Sequence, residues 1–275
     1  MGKDYLVFDA AFWYENIFLD TIALQTGADM SETTEPRREI WILGVKPGSG
    51  REDTLLGYLE AGGYVCRLEQ YDKLEAGRPL GIVLDVSPFS DDGWGVLLNI
   101  KTSPVTRDIP VLPVFLSEMG KVGGVFPVAG FFTLPVDEQY LQNRLAVYGL
   151  TEEAETWDLQ SMVVSRSGEE KLSKAVEALG FEVIKGYTGK EALALSSIHP
   201  VYMIFCSQML SDMSAFELLE RFHLYPYSSN TPLFVLLKEN MKDGEKLAMS
   251  REIAHLVRKK QLSCEEFLGY LRRRE

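Results

Sequence analysis

Residues 122 positions apart in this chain match in kind across a helical segment and both prolines that follow it. Trp94 falls on Phe216, Val96 on Leu218, Leu97 on Leu219, Pro104 on Pro226 and Pro110 on Pro232. A core aromatic, the leucines of one helix and two prolines sharing a single spacing mark an internal repeat. The 275 residues leave room for two domains of about 100–150 residues each. The chain is therefore expected to fold as two related units.

Within each copy, short apolar runs alternate with segments of helical period. The first copy predicts strands at 40–45, 63–68, 82–86, 111–116 and 131–133, with helices at 54–61, 93–101 and 137–148 and a short one at 72–76. Between the last two strands, residues 117–130 carry Gly120, Gly123, Gly124, Pro127 and Gly130, a poor composition for a helix. The second copy predicts strands at 161–165, 180–184, 201–205, 233–237 and 253–257, with helices at 169–179, 190–195, 213–222, 244–252 and 264–272. Near-continuous apolar strands separated by helices favour parallel sheets covered on both faces. Ahead of them, large apolar residues spaced three to five apart predict an amphipathic helix over 10–25, and the polar stretch 31–36 reads as a linker. The expected division is an N-terminal helix and linker over 1–38, a first unit over 39–150, an acidic linker over 151–160 and a second unit over 161–275.

One carboxylate stands out in this pattern. Ile82, Val83, Leu84 and Val86 surround Asp85, which places an acid at the carboxyl end of a buried strand, where open α/β sheets carry their ligand chemistry. Gly93 follows eight residues on, and Thr106-Arg107-Asp108-Ile109-Pro110 leads into the next strand. As a set these residues resemble the core of the two-component response-regulator receiver (CheY-like) family, and Lys190 to Leu195 resembles its second helix. The resemblance covers both copies, from about Glu39 onward. It implies two flavodoxin-like (CheY-like) doubly wound α/β units, each with a five-stranded parallel sheet, plus the N-terminal helical extension.

In that family the aspartate takes a phosphoryl group from a phosphohistidine, with Mg²⁺ held by further acids after strand one. A hydroxyl after strand four and a lysine after strand five contact the phosphoryl oxygens. Asp85 matches the phosphoacceptor, Ser117 the hydroxyl position and Phe131 the aromatic that shifts on activation, but Leu134 stands at the lysine position. Strand one runs into Gly44-Val45-Lys46-Pro47 without an acid. Glu52 and Asp53 are the weak metal candidates beside Asp85 itself, since acids at a helix start are commonly explained by the macrodipole. Asp91 and Asp92 also follow Asp85 in its loop. In the second copy Ser207 takes the nucleophile position, Leu237 the hydroxyl position and Lys260 the lysine position. Neither copy retains the whole set, so Asp85 reads as a vestigial phosphoacceptor.

Other chemistry finds little support. Lys46-Pro47-Gly48-Ser49-Gly50 lacks the terminal Lys-Ser or Lys-Thr of a phosphate-binding P-loop. His199, His223 and His255 have no acid or cysteine neighbour at ligand spacing. Cys66, Cys206 and Cys264 are widely spaced within apolar patterns and read as reduced thiols. The net charge of -12 opposes nucleic-acid binding, which depends on Lys and Arg neutralising phosphates. No secretory signal and no apolar run of the roughly 20 residues that span a bilayer are evident, so a cytoplasmic protein is expected.

The expected function is thus that of a non-catalytic tandem pseudo-receiver, a phosphorylation-independent interaction or adaptor module in bacterial two-component-type signalling. Its partner would be a histidine kinase or another regulator, with homodimerisation through the N-terminal helix or a receiver face a further use of its surfaces. No cofactor is expected. The alternative is a response regulator still phosphorylated at Asp85 by a histidine kinase, and only that alternative calls for Mg²⁺.

Overall fold

The computed structural model describes residues 39–75, 77, 79–151, 159–258 and 260–272. The expected helix over 10–25 and its linker lie outside the described residues, as does most of the acidic linker. In chain order the first half contains β1 (Glu39–Leu43), α1 (Gly50–Ala61), β2 (Val65–Leu68), β3 (Gly81–Asp85), α2 (Gly93–Thr102), β4 (Val111–Leu116), β5 (Val122–Val125), β6 (Gly130–Leu134) and α3 (Glu138–Val147). The second half contains β7 (Gln160–Val164), α4 (Glu170–Glu177), β8 (Glu182–Gly186), α5 (Gly189–Ser196), β9 (Val201–Ser207), α6 (Ala215–Phe222), β10 (Leu233–Lys238), α7 (Asp243–Leu256) and α8 (Cys264–Arg272).

These strands form two five-stranded sheets, in the orders β2-β1-β3-β4-β5 and β6-β10-β9-β7-β8. Both are doubly wound sheets of the expected class, flanked by helices. Side chains alternate across each strand. In the first sheet Trp41, Leu43, Ile82 and Leu84 face one core, whereas Ile40, Ile42, Val83 and Val114 face another together with Leu55 and Leu59 of α1. In the second sheet Met162, Ile204 and Val235 face the same core as Trp41, whereas Val163, Phe205 and Phe234 face a third, with Phe132, Leu141, Leu145 and Leu172. The first of these cores lies between the sheets. It is filled by Trp94 and Leu97 of α2, Phe216 and Leu219 of α6, and Met249 and Ile253 of α7. The molecule is therefore five layers deep, and its two sheets share the middle one.

Three expectations need correction. The strand containing Phe131, Phe132 and Thr133 does not complete the first sheet. It pairs in parallel with β10, Val235 opposite Phe131, and so becomes the fifth strand of the second sheet. Its helix goes with it, since Leu141 and Leu145 of α3 pack in the outer core of the second sheet. Conversely, Phe267, Leu268 and Leu271 of α8 pack in the outer core of the first sheet, with the Phe267 ring 5.6 Å from that of Tyr58 on α1.

The second correction concerns the expected all-parallel first sheet, since the glycine-rich stretch, as expected, forms no helix. That stretch turns at Ser117–Gly120, with the Gly120 amide donating to the Ser117 carbonyl at 3.0 Å, and returns as β5, antiparallel to β4. The first sheet is thus parallel in four strands only. Third, residues 253–256 continue α7: Ile253 and Val257 are both buried at helical spacing, and the Val257 amide donates to the Ile253 carbonyl at 3.0 Å.

Candidate functional site: a buried carboxylate held by arginine

Asp85 ends β3 and has 0% of its surface exposed. One carboxylate oxygen, Oδ1, accepts the backbone N–H of Ser87 at 3.0 Å and that of Leu116 at 3.3 Å. The other, Oδ2, accepts the Ser87 hydroxyl at 3.2 Å and forms an ion pair with Nη2 of Arg51. Arg51 also donates to the Ser87 hydroxyl oxygen at 2.8 Å and to the Phe89 carbonyl, and its guanidinium carbon lies 5.9 Å from the Phe89 ring. Only 8% of Arg51 is exposed, and burial pushes its pKa down from the ordinary arginine value.

No motif in the sequence marks Arg51. Ser49 caps α1 by accepting the Glu52 amide, and the Glu52 carboxylate reaches back to the Gly48 N–H at 2.6 Å. Arg51 therefore sits in the first turn, and side chains there point back toward the strand ends. A cation at a helix N-terminus opposes the macrodipole, so an arginine at this point calls for a nearby anion. That electrostatic mismatch was the signal in the sequence. The turn after β4 closes over the same place: a Cβ on Gly120, which has φ +80°, would lie 2.8 Å from the Gly50 carbonyl oxygen.

The motif glycine has a plain steric reason. A Cβ on Gly93 would lie 2.0 Å from the Asp85 carbonyl oxygen, so the loop can fold back beneath the strand end only with glycine at that position. Asp92 then caps α2 by accepting the Gly95 N–H at 3.2 Å, and Lys246 of α7 pairs with it at 3.0 Å. The Asp85 loop is thereby tied to the helical layer between the sheets.

The other expected site residues disperse. Ser117 lies in the β4–β5 turn, where its hydroxyl accepts the Lys121 N–H at 3.0 Å. Phe131 and Leu134 belong to the sheet of Ser207, not to that of Asp85. Ser207 ends β9 opposite Leu236, as Asp85 lies opposite Val114, so the counterpart of Ser117 is Glu239 and Leu237 stays buried within β10. Lys260 follows a helix instead of a fifth strand, and it pairs with Glu220 of α6. Glu52 serves the α1 cap, and Asp53 is exposed on the same turn.

Among the described residues, no group of three His, Cys, Asp or Glu side chains could hold a metal ion. Mg²⁺ requires several hard oxygen ligands in octahedral array. The Asp85 carboxylate is already met by a guanidinium, which a divalent cation would have to displace.

Comparison with known proteins finds only distant likenesses. No family model matches the sequence, and no curated protein matches it. Among solved structures, one described as a response regulator from Chloroflexus aurantiacus J-10-fl is 14% identical, with a TM-score of 0.29, covering 38% of this chain and 100% of its own. Two described as two-component system response regulator/GGDEF domain proteins are each 12% identical, with TM-scores of 0.27 and 0.26. Each covers 80% of this chain and 99% of its own. Among the described residues no helix is long and apolar enough to cross a membrane.

Proposed function

We propose that the protein is a signalling module of the receiver type that binds a partner protein without being phosphorylated, with Arg51 standing where this fold otherwise holds a divalent cation. The observation that carries this reading is the saturation of Asp85. Both carboxylate oxygens are engaged by groups of the chain, and none of the residue is open to solvent. A carboxylate nucleophile must present a lone pair to the phosphorus at near-attack distance. Here that requires Arg51 to leave a buried ion pair, and such a loss costs several kcal/mol, on the order of 3–5. The fixed pair preorganises the strand end and the loop tied to α7, giving one constant surface to a partner.

A second reading rests on Asp85 itself, a carboxylate kept at the carboxyl end of the central strand of a doubly wound sheet, where ligand chemistry gathers. Under it, a histidine kinase transfers a phosphoryl group to Asp85, and Arg51 swings onto the phosphoryl oxygens to neutralise their charge.

Amide NMR separates the two. The protein is titrated with Mg²⁺ and then with beryllofluoride, a stand-in for the phosphoryl group, alongside Asp85→Asn. The first reading expects no saturable shifts at Ser87, Phe89 and Leu116 in the native protein. Saturable shifts there that vanish in Asp85→Asn would establish the second.

A further inference from the structure

Where the two sheets meet, at the end of the molecule opposite Asp85, a cleft opens between the end of α2, the start of β4, β6 and α3. Its lining includes Lys101, Arg107, Arg144, Tyr140 and Tyr148. It contains about 40 Å³ of free space, enough for a few waters or for one small polyatomic ion in their place.

The charges around it do not balance. Arg107 pairs with Asp137 at 3.1 Å and Arg144 with Asp108 at 3.5 Å. Lys101, of which only 7% is exposed, has no carboxylate within ion-pair distance among the described residues and donates instead to the carbonyls of Arg107 at 3.0 Å and Ile109 at 2.7 Å. An ammonium has three donors. Two of them are spent on the loop, so a third remains at the edge of the cleft. The guanidinium of Arg144 is held against the Tyr148 hydroxyl, and that of Arg107 lies 3.8 Å from the Tyr140 ring centroid. Buried positive charge without a matching anion is costly.

We propose that this cleft is a binding site for a small dianionic oxyanion of sulfate or phosphate size, with Lys101 and Arg107 as its principal ligands and Arg144 supplying further positive charge. The ion would be met by the unpaired charge of Lys101 together with the two guanidiniums, drawing them partly from their carboxylates, and would bridge the two sheets, since Lys101 belongs to a helix after β3 and Arg144 to a helix after β6. The cleft and its charges are the ground for this site, and the burial of Lys101 agrees with it. Burial first, then the nearby Arg144, lowers the Lys101 ammonium to about 7, against a smaller opposite effect of Asp108. A bound anion favours the charged ammonium, and by reciprocity the anion is held more tightly where Lys101 is protonated. The groups facing Lys101 are Arg107 and Asp108 from the loop, with Tyr140, Arg144 and Tyr148 from the helical segment after β6. The Tyr140 phenol is pushed well above its usual range by burial, and so stays neutral.

The test is an amide NMR titration of the full chain with sodium sulfate, and separately with inorganic phosphate, against sodium chloride at matched ionic strength. Sulfate remains dianionic across neutrality, so it isolates the titration of the protein. The expected result is saturable shifts at Val111, Gly130 and Phe131 with sulfate and phosphate but not with chloride. Sulfate binding weakens as pH rises through neutrality, and it is about tenfold or more weaker in Lys101→Met and Arg107→Gln, the loss of one charged hydrogen bond. Arg107 is partly exposed, so its variant remains informative if Lys101→Met fails to fold. Shifts that chloride reproduces, that do not saturate, or that persist unchanged in Arg107→Gln would overturn the site.

Discussion

The rings of Trp94 and Phe216 lie 5.6 Å apart at an interplanar angle of 58°, and these two residues occupy the same position in the two repeats. Contact between equivalent residues is the signature of a local two-fold relation, as at an isologous dimer interface. Phe126 adds an edge contact to Phe216 at 5.1 Å, and the Trp94 indole N–H donates to the Ser250 hydroxyl at 3.0 Å. The contact between the repeats is thus part of one continuous buried core.

Truncating either ring should therefore destabilise the whole molecule. Trp94→Ala and Phe216→Ala are each expected to cost about 3–5 kcal/mol. Because the rings touch, the double variant should fall short of the sum by about 0.5 kcal/mol or more. Urea unfolding followed by circular dichroism measures both, and two separate transitions in the native protein would contradict a shared core.

The Arg51–Asp85 pair predicts a different pattern. Arg51→Met strands a buried carboxylate and should cost about 3–5 kcal/mol. Adding Asp85→Asn to Arg51→Met removes the stranded charge, so the double variant should be more stable than Arg51→Met alone. If the second substitution adds a further loss to the first, the pair is not the unit described here.

Lys101 predicts a pH dependence with a definite sign. Its pKa is depressed on folding, from 10.5 to about 7, so between those values the unfolded chain holds more protons than the native one. Stability then rises with pH across that window, and the contribution is flat below the folded value. Native protein compared with Lys101→Met by denaturant midpoint should gain steadily from near neutrality upward. A difference that does not change with pH would show that Lys101 titrates normally.

Exchange of β6–α3 and α8 between the sheets predicts where the chain can be cut. A fragment of residues 161–272 lacks β6, one of the two strands that pair with β10, and should be poorly folded. One covering residues 128–258 retains all five strands of the second sheet and should give a sharper unfolding transition. Amide exchange protection in β10 reads this directly. Equal protection in both fragments would show that β6 is dispensable.

Much of this architecture was legible in the sequence. Strands buried on both faces advertise themselves as continuous apolar runs, as in Gly81–Asp85, and the 122-residue spacing relates α2 to α6. The exchange was not legible, because Phe131 and Phe132 form the same strand whichever sheet receives them; local pattern fixes an element and leaves its partner open. The run at 253–257 was ambiguous for a related reason, since five residues with Ile253 and Val257 apolar fit a short strand as well as a helical turn. At the site, Asp85 was plain from its place among apolar neighbours. Its cation was not, because the positive charge comes from a helix residue 34 positions earlier and not from acids that could bind a metal.

The seating of α8 has a consequence for how the chain matures on the ribosome. Leu55 and Leu59 emerge early, together with the strands they cover, yet Phe267, Leu268 and Leu271 complete their layer. Of these two sheets, the one whose strands emerge earlier is completed later. Part of its outer apolar face stays uncovered while more than a hundred further residues are made, the interval in which nascent chains most need a chaperone or a quick partner.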